Sequence, residues 1–138
     1  EDNLDFKGIL FVGLMITKDG PKILEYNVRF GDPETQSVLF RLETDLSEII
    51  SAVINNKLKD IDIKYSDDSA ICVMLTSGGY PESYEKGKLI TGLDNLDKDI
   101  VVFHSGTKLL DNKLVTNGGR VIGITAKGKT VKEAGKKF

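Results

Sequence analysis

The sequence predicts an α+β fold in two parts, of which residues 1–60 mix strands with helices and residues 61–138 are mainly β. Three observations lead to this prediction. A run of apolar residues is followed by a turn, an alternating strand and two helical patterns. A polar, charge-rich passage over residues 56–69 then separates these elements from a region of strands and glycine-rich turns. The chain has 138 residues with 40% hydrophobic content, which is enough for a genuine core.

The first part should open with a β-hairpin. Residues 6–17 are almost continuously apolar, which suits a strand that is covered on both faces. The turn Lys18-Asp-Gly-Pro21 follows, and it leads into an alternating strand over residues 22–30. The two strands should therefore pair with each other.

Two helices should complete the first part. Asp32 before Pro33 predicts a helix start, with Asp32 as the N-cap and Pro33 at the first helical position. A second helix should begin near Thr44 or Asp45, with Glu48 placed for a capping box, and fade near Asn55. Its apolar stripe should consist of Leu46, Ile49, Ile50, Val53 and Ile54.

The second part should be built from strands joined by turns. Strands are predicted over residues 70–76, 100–104 and 120–125, with a hairpin around Leu110-Asp-Asn-Lys113. Alternation over residues 61–65 permits one more short strand.

Composition limits the classes of function. The formal net charge of −2 gives no electrostatic support for a nucleic-acid partner. No apolar run reaches the roughly 18 residues of a membrane helix, so no membrane partner is predicted. The single cysteine, Cys72, excludes a disulfide within the chain and fits a buried, inert thiol in a reducing, cytoplasmic location. The single histidine, His104, ends an apolar strand and favours a structural role.

Alternating polar residues form the main candidate site. Glu25, Asn27 and Arg29 occupy every second position of one predicted strand, so their side chains should share a face. Neighbours on such a face lie about 7 Å apart, within reach of one hard cation held by two oxygen ligands. Arg29 could then hold a phosphate or carboxylate beside the metal. The alternative is an ordinary edge strand with a solvated polar face.

The segment after this strand adds a second anion-handling feature. Asp32-Pro33 predicts that a helix begins directly after the alternating strand. The free backbone N–H groups at a helix N-terminus suit anions. The strand and the helix start together therefore favour a metal–phosphate site over the solvated edge strand.

These residues resemble a known family. The stretch Glu25-Tyr-Asn-Val-Arg-Phe-Gly-Asp-Pro-Glu-Thr-Gln36 resembles the signature of glycinamide ribonucleotide synthetases, also called phosphoribosylamine-glycine ligases, which are ATP-grasp enzymes of purine synthesis. Further stretches resemble the C-terminal domain of the family: Ser77-Gly-Gly-Tyr-Pro81, Tyr84-Glu-Lys-Gly87, Val102-Phe-His-Ser-Gly-Thr107 and Thr116-Asn-Gly-Gly-Arg-Val121. The resemblance implies that residues 1–60 are the C-terminal portion of an ATP-grasp domain and that residues 61–138 are the small β-rich C-terminal domain of the ligase.

The resemblance implies roles for individual residues in the first part. Glu25 and Asn27 would coordinate Mg²⁺, or Mn²⁺, bound to the phosphates of ATP. Arg29 and Asp32 would be catalytic, and both would contact substrate together with Gly31 and Pro33. Leu14 or Met15 would help to line the adenine pocket, although a plain core role is the stronger alternative for either residue.

In the second part, the resemblance implies that Gly118, Gly119 and Arg120 lie near the phosphoribosylamine site. Glycine pairs are also simple turn formers, and this alternative stays open.

The implied reaction converts ATP, 5-phosphoribosylamine and glycine into ADP, phosphate and glycinamide ribonucleotide through glycyl phosphate. Many relatives in the ATP-grasp superfamily carry another acidic ligand on the preceding strand, where Gly13 stands here, so this chain alone should bind metal weakly. We expect the chain to be a fragment, inactive in isolation, whose partner is the remaining N-terminal part of the same enzyme. Two alternatives are a different ATP-grasp ligase and a non-catalytic β-rich module that binds Ca²⁺.

Overall fold

The computed structural model describes residues 5–138, and their contacts divide them into two units. Unit 1 comprises residues 5–35 and 42–66, and unit 2 comprises residues 36–41 and 67–138. The elements are strands and short helices in both halves of the chain, so the predicted α+β fold class is confirmed. None of the helices in the described part of the chain is both long and apolar enough to cross a membrane.

Unit 1 begins with the predicted hairpin. Strand β1 (Phe11–Thr17) pairs with strand β2 (Gly20–Asn27) in an antiparallel register that joins Phe11 to Asn27 and Gly13 to Glu25. The register shifts between Gly13 and Leu14, which marks a bulge. The hydroxyl of Thr17 closes the turn by donating to the carbonyl of Gly20 at 2.8 Å.

The expectation that the first strand is covered on both faces is wrong for this structure. Leu14 and Met15 are each 51% exposed, and Ile16 is 76% exposed. Neighbouring residues of a strand point to opposite sides, so both faces of β1 show apolar surface. The apolar run does form a strand, but within the described residues of unit 1 that strand lacks a cover.

Two helices follow the hairpin in the chain. Helix α1 (Glu34–Arg41) begins one residue after Pro33, so the prediction that Asp32 directly precedes the first helical residue is wrong. Helix α2 (Leu46–Ile54) begins where predicted, because the Asp45 side chain accepts a hydrogen bond from Ser47 N at 2.7 Å. The predicted apolar stripe of α2 is only partly buried: Ile49 is 9% exposed, whereas Ile50 and Ile54 are 49% and 60% exposed.

The end of unit 1 contains little regular structure. A short 3-10 helix spans Leu58–Asp60. The short strand allowed over residues 61–65 does not form. Instead, Tyr65 makes an isolated antiparallel β-bridge with Leu42.

Unit 2 is the β-rich unit, as predicted. Strands β3 (Ser69–Thr76) and β4 (Ile100–His104) flank the long central strand β7 (Arg120–Gly128) in an antiparallel sheet. Strands β5 (Thr107–Leu110) and β6 (Lys113–Thr116) form a separate hairpin, and helix α3 (Val131–Gly135) packs against β3 and β7.

Local chemistry explains both the hairpin and the sheet. Asp111 and Asn112 both have positive φ, at 48° and 59°, which is the geometry that a two-residue hairpin turn requires. On β7, Val121, Ile122 and Ala126 are at most 5% exposed, so the central strand supplies much of the core of unit 2. Residues 77–99, between β3 and β4, form no helix or strand of their own.

The N-cap of α2 gives a pH-dependent prediction. The hydrogen bonds from the Ser47 hydroxyl and the Ser47 backbone N–H hold the pKa of Asp45 below the ordinary value for an aspartate. The ionised cap therefore stabilises the folded state above that ordinary pKa, and this contribution is lost as the pH falls through the folded-state pKa. We expect Asp45→Ala to lower the unfolding midpoint by about 3 °C at pH 7, measured by circular dichroism, and by less at pH 3.

Asp45→Asn is the matched control for this measurement. The amide keeps an acceptor oxygen but has no charge to lose, so its unfolding midpoint should depend less on pH than that of the wild type. An Asp45→Ala midpoint equal to the wild-type value at pH 7 would show that the cap does not stabilise α2.

Candidate functional site

Strand β2 places two of the predicted site residues on one side of the hairpin. Glu25 and Asn27 are two residues apart in a regular strand, so their side chains project in the same direction. Gly13 lies opposite Glu25, and a Cβ atom built on Gly13 would lie 3.0 Å from Glu25 Cγ. The glycine therefore leaves space for the Glu25 side chain.

Arg29 lies beyond the end of β2, so the prediction that the strand reaches Phe30 is wrong. The guanidinium nevertheless stays beside the site. Arg29 Nη2 donates to Asn27 Oδ1 at 3.3 Å, and Arg29 Nη1 donates to the carbonyl of Phe30 at 2.8 Å. Arg29 is therefore held next to Asn27 by these side-chain hydrogen bonds and not by a continued β-strand.

The amide of Asn27 has unused hydrogen-bonding capacity. Its Nδ2 is buried and has no hydrogen-bond partner in the described part of the chain. A buried donor without a partner costs free energy, so an acceptor from a ligand or from a further protein segment would be favourable there. Asn27 Oδ1 has a second lone pair besides the one that accepts from Arg29, and this lone pair can ligate a cation.

The donor set fits a metal that is shared with a nucleotide better than a metal held by protein alone. The Glu25 carboxylate and the Asn27 amide oxygen are the hard oxygen ligands that Mg²⁺ prefers, and Mg²⁺ commonly takes one or two protein groups plus phosphate oxygens and water. No group of three or more His, Cys, Asp or Glu residues able to hold a metal occurs within residues 5–138.

The turn between β2 and α1 is tightly packed. Gly31 is buried, and a Cβ atom on it would lie 2.8 Å from the ring of Phe11, so glycine is required by close approach. The carbonyl of Gly31 accepts hydrogen bonds from the backbone N–H and the hydroxyl of Thr35. Asp32 and Pro33 lie between these anchored residues, and Asp32 is exposed.

Leu14 and Met15 are neighbours on β1 and are each half exposed. The alternative that both are core residues does not hold within unit 1. Because adjacent strand residues face opposite sides, β1 cannot present both side chains to one nucleotide.

The predicted residues of unit 2 lie where β7 begins. Gly118 packs against Gly106, since a Cβ on Gly118 would lie 2.9 Å from Gly106 Cα. Gly119 is buried beneath the ring of Tyr80, which would collide with a Cβ there. Both glycines thus have a packing reason, which supports the turn-former alternative, while their substrate role stays a prediction. Arg120, the first residue of β7, is exposed and pairs across the sheet with Thr76.

Ser77 is a residue that the sequence interpretation did not single out. It is 8% exposed, its hydroxyl donates to the carbonyl of Gly118 at 2.8 Å, and its N–H donates to the carbonyl of Gly119 at 2.8 Å. Ser77 thereby joins the end of β3 to the glycine pair. The available signal was the stretch Ser77-Gly-Gly-Tyr-Pro81, which carries the resemblance.

Two family profiles match the chain, one on each side of the charge-rich passage. The profile described as "Phosphoribosylglycinamide synthetase, ATP-grasp (A) domain" matches residues 1–35, and the profile "Phosphoribosylglycinamide synthetase, C domain" matches residues 70–138. Together they place the chain among the ATP-grasp proteins with this C domain. The chain belongs to the phosphoribosylglycinamide synthetase family, which confirms the resemblance.

Individual relatives agree with this assignment. A protein of Caldanaerobacter subterraneus named phosphoribosylamine–glycine ligase is 50% identical over 134 residues, which are 97% of this chain and 32% of that protein. The trifunctional purine biosynthetic protein adenosine-3 of Gallus gallus is 51% identical, covering 91% of this chain and 13% of that protein. The crystal structure of phosphoribosylamine–glycine ligase from Thermotoga maritima superimposes with a TM-score of 0.70 at 37% identity, covering 93% of this chain and 31% of the other. The chain thus spans about a third of the bacterial ligases that it matches.

The packing of Tyr80 on Gly119 gives a second prediction. Gly119→Ala should reduce the unfolding free energy by about 1–3 kcal/mol, because the added methyl group has no space beneath the ring. Chemical denaturation followed by circular dichroism measures this change. Gly78→Ala is the control, since a Cβ atom at Gly78 would have no neighbour within 4 Å. Equal stability of the two variants would contradict the packing role of Gly119.

Proposed function

We propose that this chain supplies the C-terminal part of an ATP-dependent ligase that joins glycine to 5-phosphoribosylamine through glycyl phosphate. The observation that carries the proposal is the pair Glu25 and Asn27 on one side of β2, with the Arg29 guanidinium bonded to Asn27. The names of the relatives support the reaction, and the two profile matches support the division of the chain. Residues 1–60 are then the end of the ATP-grasp domain, and residues 61–138 are the C-terminal domain.

Charge development in the reaction explains the need for these side chains. Glycine must be activated by phosphoryl transfer from ATP, and the amine must then displace phosphate, so both steps build negative charge on phosphoryl or acyl oxygens. A bound Mg²⁺ or Mn²⁺ would neutralise charge on the nucleotide phosphates. Glu25 and Asn27 would hold this ion through one carboxylate and one amide oxygen.

Arg29 is suited to the oxygens of glycine or of its acyl phosphate. A planar guanidinium can donate two parallel hydrogen bonds to a carboxylate or phosphate. The hydrogen bonds to Asn27 and Phe30 restrict its orientation before substrate arrives, so less conformational entropy is lost on binding.

Three further groups of residues complete the proposed sites. Gly31, Asp32 and Pro33 form the turn that contacts substrate, and Asp32 supplies its carboxylate. One of Leu14 and Met15 faces the adenine. Gly118, Gly119 and Arg120 lie near phosphoribosylamine, with the Arg120 side chain as the anion-binding group. A cytoplasmic location is consistent with a sequence whose single cysteine allows no disulfide within the chain.

The alternatives are less well supported. A Ca²⁺-binding module would not be expected to match an ATP-grasp profile, and a different ATP-grasp ligase would not be expected to match one synthetase family on both sides of the chain.

The metal ligands are testable in the full-length ligase that carries this sequence. Glu25→Gln and Asn27→Ala should each raise the Mg²⁺ concentration for half-maximal ADP release by about tenfold or more, because one of two protein ligands weakens or disappears. Steady-state kinetics over a range of Mg²⁺ concentrations measures this shift. Glu43→Gln, a matched loss of charge at an exposed position, should leave the Mg²⁺ dependence unchanged. Unchanged dependence in both site variants would remove the proposed metal site.

The proposed reaction predicts a specific substrate requirement. Full-length ligase should form the ligated product, with one ADP per product over many turnovers, only when glycine and 5-phosphoribosylamine are both present. Residues 1–138 alone should form none, and co-expression with the missing N-terminal part of the enzyme should restore activity if the pieces assemble. Formation of a ligated product from ATP and glycine with an amine other than 5-phosphoribosylamine, and none with 5-phosphoribosylamine, would assign a different ligase reaction.

A further inference from the structure

Asn117 is the one asparagine of the sequence that directly precedes a glycine. The backbone nitrogen of a residue can attack the side-chain amide of an asparagine before it, and most side chains obstruct this approach. Gly118 has no side chain, and glycine adopts a wide range of backbone conformations. The Asn117-Gly118 pair is therefore the place in this chain where such an attack is least hindered.

The structure leaves both reacting groups of this pair without competing hydrogen bonds. Strand β6 ends at Thr116 and β7 begins at Arg120, so Asn117 and Gly118 lie outside both strands. Asn117 is exposed to solvent. Within residues 5–138, neither its side-chain amide nor the Gly118 N–H makes a hydrogen bond to another residue. Water thus reaches the amide, and the attacking nitrogen is not held by an acceptor.

The backbone on either side of this pair is anchored. The Asn117 N–H donates to the carbonyl of Gly106 at 2.6 Å. On the other side, the Ser77 hydroxyl donates to the carbonyl of Gly118 at 2.8 Å, and the Ser77 N–H donates to the carbonyl of Gly119 at 2.8 Å. Ring closure between the amide and the next nitrogen requires rotation of the backbone around Gly118, so these hydrogen bonds oppose it. Local opening that breaks the Ser77 hydrogen bonds should therefore limit the rate of the attack.

We propose that Asn117 is a site of spontaneous deamidation in the folded ligase and that Ser77 controls its rate. The Gly118 nitrogen bonds to the side-chain carbonyl carbon of Asn117, and the amide nitrogen leaves as ammonia together with the proton of the attacking N–H. The product is a cyclic succinimide. Water then opens the ring at one of its two carbonyls and gives aspartate or isoaspartate, in which the main chain runs through the side-chain carbons. Water is the only co-reactant, and no electron is transferred.

Isoaspartate at position 117 would disturb the segment that leads into β7. It adds a methylene group to the main chain and a negative charge beside it. The neighbouring backbone is already close, because a Cβ atom on Gly118 would lie 2.9 Å from Gly106 Cα. A longer main chain cannot keep both the hydrogen bond to Gly106 and those from Ser77 in such a space. Deamidation would therefore loosen the connection between the end of β3 and the start of β7.

Peptide mass spectrometry of the full-length ligase, incubated in its folded state, tests the site. The peptide that contains Asn117 should become heavier by about one dalton at a rate about tenfold above that of the peptides with Asn95 and Asn112, because only Asn117 precedes a glycine. All three asparagines are exposed, so accessibility is matched. The rate at Asn117 should rise from mildly acidic to mildly alkaline pH, since the attacking nitrogen must lose its proton. Equal rates at the three asparagines would overturn the proposal.

Ser77→Ala tests the control of the rate. It removes the hydrogen bond to the carbonyl of Gly118, so deamidation of Asn117 should be about fivefold faster than in the wild type. The rates at Asn95 and Asn112 in the same sample should stay unchanged, which distinguishes local opening from general unfolding. Ser83→Ala, at an exposed serine of the segment between β3 and β4, is the matched control and should leave the Asn117 rate unchanged. Equal Asn117 rates in the two serine variants, or an equal rise at all three asparagines, would overturn the control by Ser77.

Hydrogen exchange tests the predicted loosening. The Ser77 N–H donates to the carbonyl of Gly119, so its exchange reports whether this end of the sheet stays closed. Exchange at Ser77, measured by mass spectrometry, should be about tenfold faster in the separated isoaspartate form than in Asn117→Asp, which has the same charge and the ordinary main chain. Equal exchange in the two forms would show that the longer main chain is accommodated and would overturn the loosening.

Discussion

The central position of β7 is the constraint on which unit 2 depends. This strand pairs with β3 along one edge and with β4 along the other, and α3 packs against it. Its buried residues Val121, Ile122 and Ala126 keep water from the backbone hydrogen bonds that join the three strands. Gly118 and Gly119 directly precede β7 and accept hydrogen bonds from Ser77, the residue after β3, so the candidate substrate end of the sheet lies where β3 ends and β7 begins.

Unit 1 is organised differently, because its hairpin has little core of its own. Ile16, Leu24 and Tyr26 are each at least 60% exposed, and a two-stranded hairpin is marginally stable without further packing. The polar pair Glu25 and Asn27 is therefore aligned by backbone pairing rather than by a rigid interior. The hydrogen bond from Arg29 to Asn27 adds order at the point where that pairing ends.

The sequence was sufficient for features that depend on neighbouring residues. The Asp111-Asn112 turn, the Asp45 cap and the long apolar strands follow from local backbone preferences and were predicted correctly. Strand β2 was predicted too long. It ends at Asn27 because its partner strand begins opposite, at Phe11. The sequence of β2 alone does not show where the partner strand begins. Packing of Tyr80 over Gly119 joins residues far apart in the chain, so only the fold could show that the glycine is required. The apolar run in β1 predicted a strand correctly, but periodicity cannot say which segment covers it.

The close approach of Gly31 to Phe11 affects both the turn proposed to contact substrate and the proposed metal ligand Asn27. Phe11 is the strand partner of Asn27, and its ring fills the space that any side chain at position 31 would need. A larger residue at position 31 would move Phe11 and shift Asn27 with it. The turn that carries Asp32 and the proposed cation ligand Asn27 therefore share one packing constraint, the ring of Phe11.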